Sequence, residues 1–208
     1  MMLKKLLKHF KKSILLKIVS LNSLVTGFRL VIAIVIQKLL AELVGASGIA
    51  KIGQLRNLMV ILTSTSSLGV FNGVVKYTSE LKKEEELLAK FFSTTFIFSI
   101  LGTVISTIIL FIFSNWISIQ LFGSDTFEFI IIIAAFVVPA ISLNRIFSGV
   151  VNGLSAYKQY AKIELIAYLT SSVLLLYGLF NYNINGVLIA IAIAPIVQLL
   201  VLLFVFGS

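Results

Sequence analysis

The chain has no cysteine, one histidine and two prolines, and only 12% of its 208 residues are charged. Each scarcity removes a class of protein. Without cysteine there is no disulfide framework and no thiolate metal site. A single histidine, His9, cannot build a metal centre by itself, so no metal and no cofactor is expected. Among the N-terminal lysines it reads as a solvated or lipid-facing residue. Soluble domains carry about 25% charged residues. Half that fraction leaves too little polar surface to coat a globule in water. Acidic residues are the scarcest charge, 8 against 17 Lys and Arg, for a net charge of +9. In a soluble protein that excess would point to nucleic acid. Here the basic residues lie mostly outside the apolar runs, so membrane topology accounts for them and no nucleic-acid partner is expected.

What is abundant is apolar: 59% of residues are hydrophobic and the mean hydropathy is +1.10. The class this implies is an all-α integral membrane protein. A bilayer core of ~30 Å needs about 20 helical residues. Six segments meet that length, at 14–40, 52–75, 91–113, 127–151, 163–181 and 186–206. Pro139 and Pro195 fall inside two of them and predict kinks. Ahead of the first span, residues 1–13 place Leu3, Leu6, Leu7 and Phe10 at helical spacing against five lysines. That pattern predicts an amphipathic interfacial helix resting on an anionic leaflet. It is not read as a cleaved signal peptide, because the apolar segment is too long and no small-residue cleavage site follows.

Lysine placement sets the orientation. Lys4, Lys5, Lys8, Lys11 and Lys12 precede the first span, Lys76, Lys82, Lys83 and Lys90 surround the second loop, and Lys158 and Lys162 lie in the fourth. The opposite side has only Lys38 and Lys51. The positive-inside rule then puts both termini in the cytoplasm, with Trp116 and Tyr182 at the outer aromatic belt. The run from Glu80 to Lys90 reads as a short charged helix, either solvated or recognised by a partner.

Three arginines fall within the apolar spans: Arg29, Arg56 and Arg145. Each costs roughly 2.5–3.5 kcal/mol at a helix centre, so such residues face a bundle interior or a wet cavity. On the first span Asn22, Thr26, Arg29, Ala33 and Gln37 share an arc about 80° wide. On the second, Arg56, Asn57, Thr63, Ser64 and Ser67 fall within roughly 120°, and on the fourth Ser142, Arg145, Gly149 and Asn152 fall within about 80°. If these faces converge, the arginines form a positive ladder with Lys76 at its inner mouth and Asn72 beside it. Glu164 and the other acidic residues are expected at the membrane edges, which would leave the cavity without an internal counter-ion. Such a cavity suits an anion, and guanidinium suits phosphate. The alternative for Arg56 and Arg145 is snorkelling to the two interfaces, and the Ser and Thr residues serve equally as helix-packing glue.

Three stretches carry a resemblance. Gly45-Ala46-Ser47-Gly48, Gln54-Leu55-Arg56-Asn57-Leu58 and Gly69-Val70-Phe71-Asn72-Gly73-Val74-Val75-Lys76-Tyr77 resemble the Wzx-type flippases of O-antigen and enterobacterial common antigen, in the MOP exporter superfamily. The F-N-G-V-x-K-Y element is the most specific, and a looser likeness runs from Gly149-x-x-x-Gly153 to Tyr160. The resemblance implies one six-helix lobe of a protein of the bacterial inner membrane. It implies translocation of undecaprenyl-diphosphate-linked oligosaccharide by alternating access between two lobes, in the service of lipopolysaccharide and other polysaccharide synthesis. It also implies a cationic cavity; Arg56 matches an arginine at the equivalent place, whereas Arg29 and Arg145 are assigned by the helical wheel. The expected partners are the lipid-linked sugar, membrane lipids and a second lobe or partner chain. The family has about twice as many spans, so the chain reads as a truncated frame, a split product or a self-pairing half-transporter.

Two other readings stand beside it. A cation-coupled multidrug exporter of the related family would carry an acidic residue inside its first lobe, and none occurs between Ile14 and Leu40. A non-transporting scaffold subunit would fit the charged 80–90 segment. No enzyme is expected: there is no nucleophile–base pair, and the glycines follow no G-x-x-x-x-G-K pattern.

Overall fold

The computed structural model describes residues 14–206, so the segment read as an interfacial helix, residues 1–13, lies outside it. Among the described residues every regular element is helical: α1 (Ile14–Ser66), α2 (Phe71–Glu80), α3 (Glu85–Ile112), α4 (Ser114–Phe122), a 3-10 turn (Asp125–Phe127), α5 (Glu128–Gly153) and α6 (Tyr157–Phe206). Among the described residues four stretches, Val25–Ser66, Glu85–Ile112, Asp125–Gly153 and Tyr157–Val205, are long and apolar enough to cross a membrane.

The two longest helices are bent back on themselves. Within α1 the bend is Gly45, at φ 67° and ψ −174°. Within α6 it is Asn183, at φ 49° and ψ −135°. A positive φ is strained for most side chains; glycine adopts it freely and asparagine tolerates it. The reversal is sharp. A straight helix would separate Gln37 from Arg56 by about 28 Å, yet both line one recess. Both bends lie at the same end of the bundle, where the Cα of Gly48 faces Ile184. Gly45→Ala and Asn183→Val should each destabilise the protein by about 1–3 kcal/mol, whereas Asn183→Gly should be close to neutral. Thermal unfolding of the detergent-purified protein measures all three.

Helix α5 is the centre of the packing. Ile130, Ile131, Ala134, Val137 and Val138 are buried there against Leu40, Leu55, Leu110, Leu179 and Leu188 from the surrounding helices. Its far end carries Gly149 and Gly153 against Val74 and Thr78 of α2. The F-N-G-V-x-K-Y element is therefore the first two turns of α2, laid on α5.

Helix α3 shows which solvent the bundle is built for. Its buried positions are Thr95, Ser99, Gly102, Ser106 and Leu110, at helical spacing. Ile97, Ile100, Leu101, Val104, Ile105, Ile108 and Ile112 point outward and are at least half exposed or nearly so. In water an amphipathic helix buries its apolar stripe. Here small and hydroxylated residues face the protein and the branched aliphatics face out, which is the arrangement of helices packed in lipid. The chain is a helical membrane protein.

Several boundaries differ from the sequence reading. The second apolar segment was expected to run to residue 75; instead the helix stops at Ser66 and restarts at Phe71. The turn between contains Leu68 at φ 45° and Gly69 at φ 71°. The charged run from Glu80 to Lys90 is not a helix of its own. Glu80 closes α2, and Glu85 opens α3 with Glu85 and Glu86 in its first turn, where acidic side chains favour the helix dipole. Helix α4 was not foreseen. Its Ser114 and Asn115 side chains donate to the Glu128 carboxylate at 2.6 and 3.2 Å, tying it to the start of α5.

Candidate functional site

The arginines on the bent helices meet in a groove. Arg29 sits on the first arm of α1 and Arg56 on the second, about 40 Å apart were the helix straight. The fold-back brings both to the wall of one recess of about 440 Å³. The two arms of α6 supply the opposite wall, with Glu164, Tyr168 and Ser171 from one and Pro195 and Gln198 from the other. A second recess of about 350 Å³ continues towards the bends and is lined by Gln37, Ser172 and Ala190. Arg56, Tyr168 and Ser171 line both, so the two are one continuous groove.

Arg29 is held firmly. Its Nη1 donates to Glu164 Oε2 at 2.9 Å, and Gln198 Nε2 donates to the other carboxylate oxygen at 3.2 Å. The guanidinium carbon lies 4.7 Å from the centre of the Tyr168 ring, within cation–π range. The Tyr168 hydroxyl donates to the Arg29 carbonyl at 3.0 Å. This corrects the expectation that the cavity has no internal carboxylate. A fifth apolar segment beginning at residue 163 sets Glu164 at the membrane edge. Helix α6 begins at Tyr157, so Glu164 sits about 10 Å along it. Sequence did carry the signal: Glu164, Tyr168, Ser171 and Leu175 recur at helical spacing on one face.

Arg56 is different. It is exposed to the groove, and among the described residues it has no hydrogen-bond or ion-pair partner. Two guanidiniums less one carboxylate leave the lining with a net charge of +1.

The other sequence-selected residues lie elsewhere. Arg145 lines neither recess; its guanidinium carbon stands 4.0 Å from the ring centre of Phe71, which joins it to α2. Lys76 is exposed with its Nζ 5.3 Å from the Tyr77 ring centre, and Asn72, Asn57 and Thr26 are exposed away from the two recesses. The side chain of Asn22 falls outside the described residues. The hydroxyls of Thr63, Ser64 and Ser67 donate to carbonyls one turn back in their own chain. Ser142 donates to the carbonyl of Ser66 at 3.3 Å. These groups satisfy backbone or fasten helices.

Compared with protein-family models, curated proteins and solved structures, the chain matches none. The likeness to flippases therefore rests on the residues that carry it.

Proposed function

We propose that the groove binds the diphosphate of a polyprenyl-linked oligosaccharide, and that the chain is one lobe of a flippase for that lipid. In this reading the bends at Gly45 and Asn183 make each long helix cross the membrane twice, for six crossings in all. Lys76, Lys82, Lys83, Lys90, Lys158 and Lys162 gather at the end away from the bends, which by the positive-inside rule is the cytoplasmic face of a bacterial inner membrane, with both termini there. A second lobe or partner chain would close the groove and rock against this one, as alternating access requires.

The observation that carries the reading is Arg56. An unpaired guanidinium in an apolar setting is costly. Placing it beside a second guanidinium on a concave wall suits an anion that takes bidentate contacts. The exposed aliphatic face of α3 suits a bilayer setting, in which the prenyl tail of such a substrate would stay in lipid while its headgroup occupies the groove.

Complementation tests this. With the second lobe supplied, Arg29→Ala and Arg56→Ala should each abolish surface glycan in a flippase-null strain at normal expression. Wild-type glycan in both variants would remove the anion role. Arg56→Lys keeps the charge but loses the planar fork, so partial activity would indicate direct phosphate contact.

Glu164 supports a second reading. The multidrug branch of the superfamily is expected to hold an acidic residue within its first lobe, and Glu164 stands in the groove. A net lining charge of +1 favours the anion. Competition settles the choice: farnesyl diphosphate, not an organic cation such as tetraphenylphosphonium, should displace a labelled prenyl diphosphate.

A further inference from the structure

We infer that Glu164 is a resident counter-ion that an incoming anion must displace from Arg29, and that its displacement releases the first arm of α1. The inference rests on the groove being the anion site, and it assigns to Glu164 a role in ligand entry that the arginines alone do not define.

The geometry is that of a latch between three helical arms. Arg29 comes from the first arm of α1, Glu164 from the first arm of α6 and Gln198 from the second. The two carboxylate oxygens are each used once, one by the guanidinium and one by the amide. Among the described residues only one Arg29 nitrogen is engaged, and the side chains of Arg29 and Glu164 remain 36% and 22% exposed. A fork with free N–H groups facing a groove can take an anion, but the nearest position is already filled by Glu164. A dianion that reaches Arg56 first would compete for Arg29 against a single carboxylate. Its advantage is the second guanidinium, which Glu164 does not engage.

The arm that Arg29 belongs to is thinly held. In the most apolar part of α1 only 11% of residues are buried, against 50% in α5. Phe28, Leu30, Val31, Ile34 and Val35 on it are all more than half exposed. Apart from the ion pair, its polar ties to α6 in this region, among the described residues, are the Tyr168 hydroxyl on the Arg29 carbonyl and the Tyr168 ring beside the guanidinium. A ligand shifts an equilibrium by its differential affinity for the two states. An anion that binds only once Glu164 has let go is selective for the unlatched state. Ligand entry and freedom of the α1 arm are thereby one event.

The test uses the full chain in lipid nanodiscs with farnesyl diphosphate as probe. Glu164→Gln keeps the size and one acceptor oxygen but removes the competing charge. It should bind the probe about five- to tenfold more tightly than wild type, the effect expected of one partly screened charged contact. The absence of cysteine allows clean spin labels at Val31→Cys and Val173→Cys, both exposed. In the otherwise wild-type chain the inter-label distance should shift when the probe is added. In Glu164→Gln it should be shifted beforehand. If Glu164→Gln does not elute as a single species, Glu164→Asp serves, with a smaller gain in the same direction. Binding in the variant but not in wild type would support the latch. Equal or weaker binding in the variant, with wild-type binding still lost in Arg56→Ala, overturns the latch and leaves the anion groove standing. No binding by either protein overturns both.

Discussion

Replacing Gly186 with valine should unseat the hairpin of α6 and lower the melting temperature by about 10 °C. A Cβ on Gly178 would stand 2.5 Å from the carbonyl oxygen of Gly186 and 2.6 Å from its carbonyl carbon, and a Cβ on Gly186 would meet the same backbone atoms of Gly178. On a straight helix these two glycines would be about 12 Å apart. Their contact exists because Asn183 folds the two arms together. The atoms opposed are backbone, so no rotamer change relieves the overlap and the arms must separate. Overpacking of this kind costs typically 1–3 kcal/mol and sometimes more, and 1 kcal/mol moves the melting temperature by roughly 2–4 °C in a chain of this size. Gly186→Ala should show a smaller loss. Gly27 and Gly53 provide the contrast, for a Cβ at either meets nothing within 4 Å. Their alanine variants should be neutral or gain up to about 1 kcal/mol from helix propensity. If Gly186→Val melts with wild type, the close approach of the two arms is wrong, and with it the shape of the groove wall that α6 supplies.

The same contrast shows what sequence can reveal. Apolar runs long enough to span a membrane were legible because they depend only on composition and length. The bends were legible in part. Gly45 opens a Gly-Ala-Ser-Gly stretch between two apolar segments, and Asn183 sits in Asn-Tyr-Asn-Ile-Asn-Gly, both usable as turns. The break after Ser66 was hidden because Ser67-Leu68-Gly69-Val70 is as apolar and small as its surroundings. Nothing in its pattern announces a left-handed leucine; α2 packing across α5 imposes it. The helical wheel found that Arg29 and Gln37 share a face, since that follows from 3.6 residues per turn. It could not tell which polar stripes meet. The stripe on α5 with Ser142 and Gly149 turned out to fasten α1 and α2, because small residues admit close packing as readily as they line a cavity. Glu164 was misplaced for a simpler reason: two lysines at the start of α6 made the first two turns look like a loop.

Arg56→Glu should produce the largest functional loss, on the order of 1,000-fold in affinity for farnesyl diphosphate. Two effects add. A charged hydrogen bond contributes about 1.5–3 kcal/mol net, and its removal alone, as in Arg56→Gln, should weaken binding by roughly 10- to 100-fold. Reversal adds repulsion. Unit charges ~5 Å apart interact by about 3 kcal/mol at an effective dielectric of ~20, and the lining would change from two guanidiniums and one carboxylate to one and two. Arg56 suits the experiment because it is exposed and, among the described residues, supports no other group, so its replacement should leave the melting temperature unchanged. Arg145 is the control. It is stacked on Phe71 and lines neither recess, so Arg145→Gln should lower stability more than affinity. Raising ionic strength should shrink the difference between wild type and Arg56→Glu, as screening does for charges that water reaches. Unchanged binding in Arg56→Glu would mean that the anion sits elsewhere, and the convergence of Arg29 and Arg56 would then be an accident of the two bends.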